Sequence, residues 1–455
     1  MQRILIESLA GDASFNRFHG LILFWCALIV IFDGYDLAVV GAALPAIMDD
    51  MKIEPAQAGV MAGSALIGSM FGAVFLGTLA DRIGRAKVTA LCIALFSVFT
   101  AAAGLAREPV SFSVLRFIAG LGIGGVMPIM AAQMGEFFPL KLRTRLVSMV
   151  FAGFSIGGIL VALLAKQCIQ AYGWPSVFYF AGLPVLLLPF ILKSMPESMA
   201  FLARQGRRRE LLAILRRIAP QLRMDDGAEI AAGPAPGGRR NAPVGSLFRE
   251  GRGWSTVMIW LAFITGMFMV YALNAWLTKL MAMAGYSLGS ALNFLIVFNV
   301  GSILGAAAGG WLGDKLNIKH VLVGFYLLGA VSLTALAYAK ATGSLFAAVL
   351  LVGASTLGTT LLAIAYASDF YPAAIRATGV GFAAGTGRIG AVLAPLLIGW
   401  LVSLQLPLER NFMAIGLAGV LGAAAVLLVN QGRADSEWAK KAASGASQAG
   451  AGAEL

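Results

Sequence analysis

Long apolar runs separated by short polar gaps organise this chain. They fall near 20–45, 56–79, 88–106, 110–134, 146–168, 175–193, 254–282, 288–312, 320–340, 344–367, 378–402 and 411–431. Each is close to the roughly 20 residues a helix needs to cross the hydrocarbon of a bilayer. Backbone groups in hydrocarbon must be bonded internally, and these Gly- and Ala-rich runs lack the alternation of barrel strands, so they are predicted to be helices. The pattern predicts an all-α integral membrane protein of twelve spans with both chain ends on one side.

Only one gap is long. It divides the chain into a six-span unit over 1–193, a loop over 194–253, a second six-span unit over 254–431 and a tail over 432–455. Within the loop, Ser198 to Ile218 is predicted as an amphipathic surface helix with Leu211, Leu212, Leu215 and Ile218 on one face. The Gly-Pro-Ala-Pro-Gly-Gly stretch at 233–238 reads as a flexible linker, and the small, polar tail reads as disordered. Residues 1–16 contain Glu7 and Asp12 and no apolar core before a small-residue cleavage site, so a cleavable signal peptide is not expected.

Two motifs recur at one offset. Gly77-Thr-Leu-Ala-Asp81-Arg82-Ile-Gly84-Arg85-Ala-Lys87 follows span two, and Gly310-Trp-Leu-Gly-Asp314-Lys315 follows span eight. Glu136-Phe-Phe-Pro139 with Arg143 follows span four, and Asp369-Phe-Tyr-Pro372 with Arg376 follows span ten. Asp81 to Asp314 and Pro139 to Pro372 are both 233 residues. A shared offset without slippage predicts parallel repeats of one six-helix unit.

The G-x-x-x-D-R-x-G-R motif after span two, its weaker echo after span eight, and Arg116-Phe-Ile-Ala-Gly120-Leu-Gly122-Ile-Gly124 in span four resemble the signature motifs of the major facilitator superfamily. The resemblance runs from Phe18 to Asn430 and implies two pseudo-symmetric six-helix bundles. Phe32-Asp33-Gly34-Tyr35-Asp36 in span one is similar to the aromatic acid:proton symporters of that superfamily. The run Asn16-Arg-Phe-His-Gly, Phe24-Trp-Cys-Ala-Leu and Asp33-Gly-Tyr-Asp36-Leu is most similar to the benzoate transporters among them.

Composition excludes a soluble reading. The 455 residues are 59% hydrophobic and 12% charged, against about 45–50% and about 25% in soluble chains. The formal charge of +12 comes from 34 Lys and Arg against 22 Asp and Glu, which in a soluble protein would suggest a nucleic-acid partner. Position decides otherwise: 26 of the 34 lie on the side of the termini, 12 of them from Lys193 to Arg252, and six on the other side. The positive-inside rule makes the termini cytoplasmic. Cys26, Cys92 and Cys168 sit alone in separate apolar runs and form no disulfide framework or metal cluster by spacing.

Four charges remain within spans: Asp33, Asp36, Arg116 and Arg388. A charge at mid-bilayer costs about 2.5–3.5 kcal/mol even on the lenient insertion scale, so these are functional candidates. Asp33 and Asp36 share a helix face, and two close carboxylates in a poorly solvated site disfavour double ionisation. The pair is therefore the candidate proton acceptor, set against an alternative in which each Asp is permanently paired with an Arg and only orients helices. The family resemblance implies that Asp33, Asp36 and Arg116 are needed for transport, with Arg116 the proton-linked partner. Arg116 and Arg388 are candidates for a substrate carboxylate, because a guanidinium donates two parallel hydrogen bonds and stays charged. None of the four has a charged counterpart 233 residues away; the equivalents are Gly266, Met269, Val349 and Ser155.

Tyr35, Phe154, Tyr271, Trp276, Phe298 and Tyr366 could sandwich a planar ring, and Asn274 and Asn299 could bond its substituents, with helix packing as the competing role for each. Gly301, Gly305 and Gly309 in span eight, and Gly153 with Gly157 in span five, form ridges that admit close helix approach. Gating is assigned to Gly77, Asp81, Arg82, Gly84, Arg85, Asp314, Lys315, Glu136, Arg143, Asp369 and Arg376. The resemblance implies that Asp81 meets the start of span eleven and that Arg82 and Arg85 bridge neighbouring acids, bracing the outward-facing state. The second copy has Asn317 and Ile318 where Gly84 and Arg85 stand, which leaves its latch in doubt.

Gly120-Leu-Gly122-Ile-Gly124-Gly125 matches a dinucleotide fingerprint, but no strand precedes it. Gly153-Phe-Ser155-Ile-Gly157 matches a nucleophile elbow, but His19 and His320, at the membrane edge, supply no triad. No phosphate-binding G-x-x-x-x-G-K motif is present, so energy is not expected from ATP bound here; with these motifs failing, an enzyme is not expected. The expected function is symport of an aromatic carboxylate, such as benzoate or a hydroxybenzoate, with a proton in a bacterial cytoplasmic membrane. No cofactor or metal beyond the proton gradient is expected, no nucleic acid partner, and a monomer in the lipid bilayer. An antiporter exporting a small organic compound and a transporter-like sensor are the alternatives.

Overall fold

The computed structural model describes residues 3–5, 10–219, 229–231, 244–339, 341–372 and 375–431. The expected linker at 233–238 and tail at 432–455 lie outside the described residues. Twelve helices are long and apolar enough to cross a membrane: Arg17–Met51, Pro55–Ile83, Arg85–Ala103, Pro109–Phe137, Leu140–Tyr172, Pro175–Ser194, Gly253–Met283, Leu288–Lys315, Ile318–Tyr338, Thr342–Phe370, Arg376–Ser403 and Leu408–Leu428. They are spans one to twelve. The side carrying the chain ends is the terminal face, and the other is the opposite face.

Most helices outrun their apolar runs because their caps lie in the polar gaps. Span one starts at Asn16, whose Oδ1 accepts from the backbone N–H of Phe18 and His19. It ends at Lys52, which turns left-handed at φ 51°. Spans two, four and six begin with Pro55, Pro109 and Pro175, where the missing N–H costs no helical bond. Span six is the exception to regularity. Its helix stops at Phe180, passes through a 3-10 segment at Leu183–Leu187 around Pro184, and resumes at Leu188–Ser194.

The predicted surface helix is two helices, Met199–Arg204 and Arg208–Ile218, because Gly206 turns the chain at φ +67°. Leu211, Leu212, Leu215 and Ile218 are buried as one face. Asn16 holds this helix to span one: its Nδ2 donates to the carbonyls of Arg217 and Ile218, and the Arg217 guanidinium lies 4.8 Å from the Phe18 ring centre. One small addition to the helical class is a parallel ladder of Arg3–Leu5 with Glu229–Ala231, too short to register as a pattern.

Helix pairing repeats. Spans two and four, one and five, and three and four pack closely, as do eight and ten, seven and eleven, and nine and ten. Glycine makes these approaches possible: a Cβ at Gly120 would overlap the Ala65 carbonyl, and one at Gly305 the Ala354 carbonyl. The halves meet where spans two and eleven, five and eight, and one and seven touch. Those contacts run from mid-depth to the opposite face: Gly41 against Asn274, Gly59 against Pro395 and Gly399, Gly158 against Asn299, and Lys166 Nζ donating to Asn293 Oδ1 at 3.1 Å. Among the described residues, no inter-half hydrogen bond lies nearer the terminal face than Arg388 to Ser69. Val74, Phe75 and Asp81 of span two are exposed there.

Candidate functional site

Span one carries Asp33 and Asp36 to mid-depth, and packing gives them different surroundings. Asp36 is 1% exposed and faces Arg116 of span four, itself 1% exposed. Arg116 Nη1 donates to Asp36 Oδ1 at 3.1 Å and Oδ2 at 3.0 Å, and Nη2 donates to the Asp36 backbone carbonyl at 2.9 Å. The same Nη1 donates to Thr100 Oγ1 of span three at 2.5 Å. Spans one, three and four are thus tied by one buried cluster. Removing one partner of such a pair costs about 3–5 kcal/mol, because the other charge stays buried.

Asp33 is equally buried but makes no ion pair among the described residues, and its Oδ1 has no hydrogen-bond partner. The charges acting on it are Asp36 and Arg388. Arg388 reaches across from span eleven to span two, where Nη1 donates to the Ser69 carbonyl at 2.9 Å and approaches Ser69 Oγ at 3.4 Å. Its guanidinium is half-buried and bonds no carboxylate. One and two turns before it, Gly385 and Gly381 leave open space, since a Cβ at either would meet nothing within 4 Å. Tyr271 of span seven is partly buried within the field of both Arg388 and Asp33, with no hydrogen bond from its hydroxyl among the described residues. Asp33, Arg388 and Tyr271 thus place a carboxyl, a cation bonded only to Ser69 and a hydroxyl within one another's electrostatic reach.

Other candidates are committed to the scaffold. Tyr35 donates its hydroxyl to the Val177 carbonyl of span six at 2.8 Å. Trp276 is fully buried and donates Nε1 to the Pro395 carbonyl at 3.1 Å, tying span seven to span eleven. Phe298 is 1% exposed, and its backbone lies against Gly353 of span ten. Tyr366 lines a small apolar cavity inside the second half with Ile259, Phe263, Leu322 and Val426. Asn274 and Asn299 turn their amides back to the carbonyls of Val270 and Leu295 at 2.9 Å. Phe154 is partly buried, and its carbonyl occupies the space a Cβ at Gly34 would need. The ring-sandwich set drawn from sequence is thus dispersed, with Tyr271 the member beside the charges.

At the terminal face the first-half motif forms a network. Arg85 Nη1 bonds Glu136 Oε1 at 3.0 Å, and its backbone N–H donates to Glu197 Oε1 at 2.6 Å. Ser198 donates its hydroxyl, and Met199 its N–H, to Glu136. The Asp81 side chain is 64% exposed and its carboxylate reaches only Arg85, at 4.0 Å, while its carbonyl accepts from Arg204; it makes no bond to the start of span eleven among the described residues. Arg82 is exposed and bridges no acid among the described residues. Gly84, at φ 107°, turns the chain between spans two and three, whereas Gly77 faces open space. Arg143 caps span four through the Phe138 carbonyl at 3.1 Å, and Arg376 does the same for span ten through Tyr371 at 3.3 Å.

The second motif forms no such network among the described residues. Lys315 lies 4.2 Å over the Trp311 ring, and Asp314 and Asp369 are exposed. Lys319 bonds the last carbonyls of span twelve, Leu427 at 3.1 Å and Val429 at 2.9 Å. Ile318 stands where the repeat would need an Arg.

Sequence reasoning missed Ser69, Thr100, Glu197 and Ser198. A hydroxyl in an apolar run is a weak signal, since most bond their own helix; Glu197 beside Pro196, just past span six, was the readable one. No group of three His, Cys, Asp or Glu able to hold a metal occurs among the described residues.

The Major Facilitator Superfamily model matches residues 26–361 and 293–451. A benzoate transport protein of Acinetobacter baylyi is 39% identical over 437 residues, covering 95% of this chain and 94% of its own. A gallate transporter of Pseudomonas putida is 33% identical over 90% of this chain and 91% of its own. The fold is that of a partially occluded inward-open xylose transporter XylE from E. coli, with a TM-score of 0.69 at 19% identity over 90% of this chain and 97% of that one. With twelve spans, paired repeats and matches over nearly the whole length, the chain belongs to the Major Facilitator Superfamily, a transporter rather than an enzyme.

Proposed function

We propose that this protein imports an aromatic carboxylate, such as benzoate or a hydroxybenzoate, together with a proton, from a bacterial cytoplasmic membrane with both termini in the cytoplasm. The observation that carries the reading is Asp33, buried with no hydrogen-bond partner at Oδ1 and within the field of an Arg388 that bonds Ser69 and no carboxylate among the described residues. The names of the two relatives supply the substrate class.

In this mechanism the two aspartates divide the work. Asp36 stays with Arg116, and Asp33 takes the proton. A neutral Asp33 no longer competes for Arg388, whose fork then holds the substrate carboxylate, with Tyr271 beside it. The loaded site then holds one charge pair, Arg388 with the substrate carboxylate, as the empty site held Arg388 with Asp33, and the halves rock about the mid-depth contacts. With the terminal face read as cytoplasmic, hydrogen bonds between the halves that run from mid-depth to the opposite face among the described residues support an inward-facing reading of this arrangement. The Asp81 carboxylate is exposed and reaches only Arg85 in it, in keeping with a latch that closes only when the protein faces outward.

A proton and a monoanion together move no net charge, so one-to-one uptake follows the pH gradient and not the membrane potential, which acts with about 2.3 kcal/mol per charge per 100 mV. Proteoliposomes given labelled benzoate should accumulate it when the outside is acid. Asp33→Asn should abolish that accumulation while sparing exchange of labelled for unlabelled substrate. Uptake driven by potential alone, or undiminished accumulation by the variant, overturns the coupling; efflux against an inward proton gradient would make the protein an exporter, and binding without accumulation a sensor.

A further inference from the structure

Spans two and eleven meet in a fixed register: Gly59 lies against Pro395 and Gly399, and Gly63 against Pro395 and Leu396. Toward the terminal face the next tie is the bond from Arg388 to Ser69, and beyond it no hydrogen bond joins the two helices among the described residues. We propose that Ser69 is a positioning residue, the resting dock of Arg388. The substrate carboxylate and Ser69 compete for the same guanidinium nitrogen, so loading the site unties this seam. The inference rests on the transport reading, in which Arg388 clamps the carboxylate, and adds the residue that links that clamp to the contact between the halves.

The dock only accepts, and it carries no charge. Nη1 of Arg388 donates to the Ser69 carbonyl at 2.9 Å and lies 3.4 Å from Ser69 Oγ. The Ser69 hydroxyl gives its own proton to the Leu66 carbonyl at 2.8 Å, which leaves its oxygen to accept. Span four backs the dock: a Cβ at Gly124 would overlap the Ser69 carbonyl. Ser69 is 7% exposed, so bulk water has little access to these acceptors. A carboxylate offers the guanidinium a full opposite charge and two parallel bonds, where Ser69 offers neutral oxygens to one nitrogen. Such a dock holds Arg388 until an anion arrives.

The repeat singles out Arg388 as the added part. Displaced by 233 residues, Ser69 and Arg388 map onto Ser302 of span eight and Ser155 of span five, the helices of the other seam. Ser302 likewise gives its proton to its own helix, at the Phe298 carbonyl 3.0 Å away, and no hydrogen bond joins it to Ser155 among the described residues. That seam is tied instead by Lys166 to Asn293, toward the opposite face. Only the seam of spans two and eleven is held through a side chain that the substrate can claim.

The test is equilibrium binding of labelled benzoate to the purified protein at acid pH. Ser69→Ala removes one acceptor of the dock and should bind benzoate about two- to fivefold more tightly, the worth of one weak hydrogen bond. A residue that only packed would loosen binding or leave it. Ser302→Ala, the equivalent change in the other seam, should leave the affinity unaltered. If Ser69→Ala does not fold, Ser69→Cys, with a weakly accepting thiol, takes its place. Spin labels at Arg82 and Ala377, exposed on spans two and eleven, read the seam. Benzoate should widen their distance distribution in the wild type, and Ser69→Ala should show part of that widening without benzoate. Weaker or unchanged binding by Ser69→Ala overturns the inference, since Ser69 would then support the clamp rather than compete with it. So does a wild type that binds benzoate with its seam distances unaltered. A wild type that binds no benzoate sinks the transport reading instead, while the label distances of unliganded Ser69→Ala still report on the dock.

Discussion

Asp33 and Asp36 differ in what they can do because of two side chains on other helices. Arg116 pairs with Asp36 and is itself held by Thr100, whereas Asp33 Oδ1 has no hydrogen-bond partner among the described residues. The same contrast separates the two arginines: Arg116 is spent on Asp36, while Arg388 bonds a neutral carbonyl that a substrate carboxylate can displace. Arg388→Lys should therefore raise the half-saturating benzoate concentration about tenfold, since an ammonium loses the second of two parallel charge-assisted bonds, about 1.4 kcal/mol. The concentration dependence of labelled exchange in proteoliposomes measures this; an unchanged value would place the carboxylate elsewhere. All four charges were readable as candidates, because an ion in an apolar run stands out. Their pairing was not, since residues 80 positions apart in sequence meet only when spans one and four pack.

Spans themselves were legible, because hydrocarbon imposes a minimum apolar length that soluble helices escape. Their ends and breaks depended on capping chemistry outside the runs. Asn16 shows how much one such residue carries: its Oδ1 caps span one while its Nδ2 caps the helix Arg208–Ile218. Asn16→Ala should destabilise the fold by about 1 kcal/mol and speed amide exchange in Arg208–Ile218 more than in span nine. Hydrogen exchange read by mass spectrometry checks both, and equal protection in the variant would show that Leu211, Leu215 and Ile218 hold the helix unaided. The surface helix was expected whole because its apolar spacing continues; Gly206, with a left-handed φ, divides it. The aromatic candidates scattered for a related reason. Tyr35 and Trp276 have polar tips that must be bonded inside the bundle, and each found a backbone carbonyl on a neighbouring helix.

At the level of the whole molecule, the seam between spans two and eleven is closed by backbone rather than side chains. A Cβ at Gly399 would come within 2.7 Å of the Pro55 carbonyl, 3.0 Å of the Gly59 Cα and 3.0 Å of Trp276. Gly399→Val should wedge this seam at a cost of about 1–3 kcal/mol and shift the population toward closure of the terminal face. Spin labels at Arg82 and Ala377, both exposed on that face, should then report a shorter distance than in the wild type. An unaltered distance distribution would mean that the seam yields without moving the halves. The amino-acid sequence by itself determined the number of spans, the 233-residue repeat and the four charges that matter, because each follows from the solvent the chain must satisfy: hydrocarbon excludes polar groups and leaves their exceptions visible. Tertiary structure alone decided which charge is paired, which aromatic lies beside the charges and where the halves touch. Those depend on distances between helices far apart in sequence, and apolar runs carry no record of the neighbour against which each will pack.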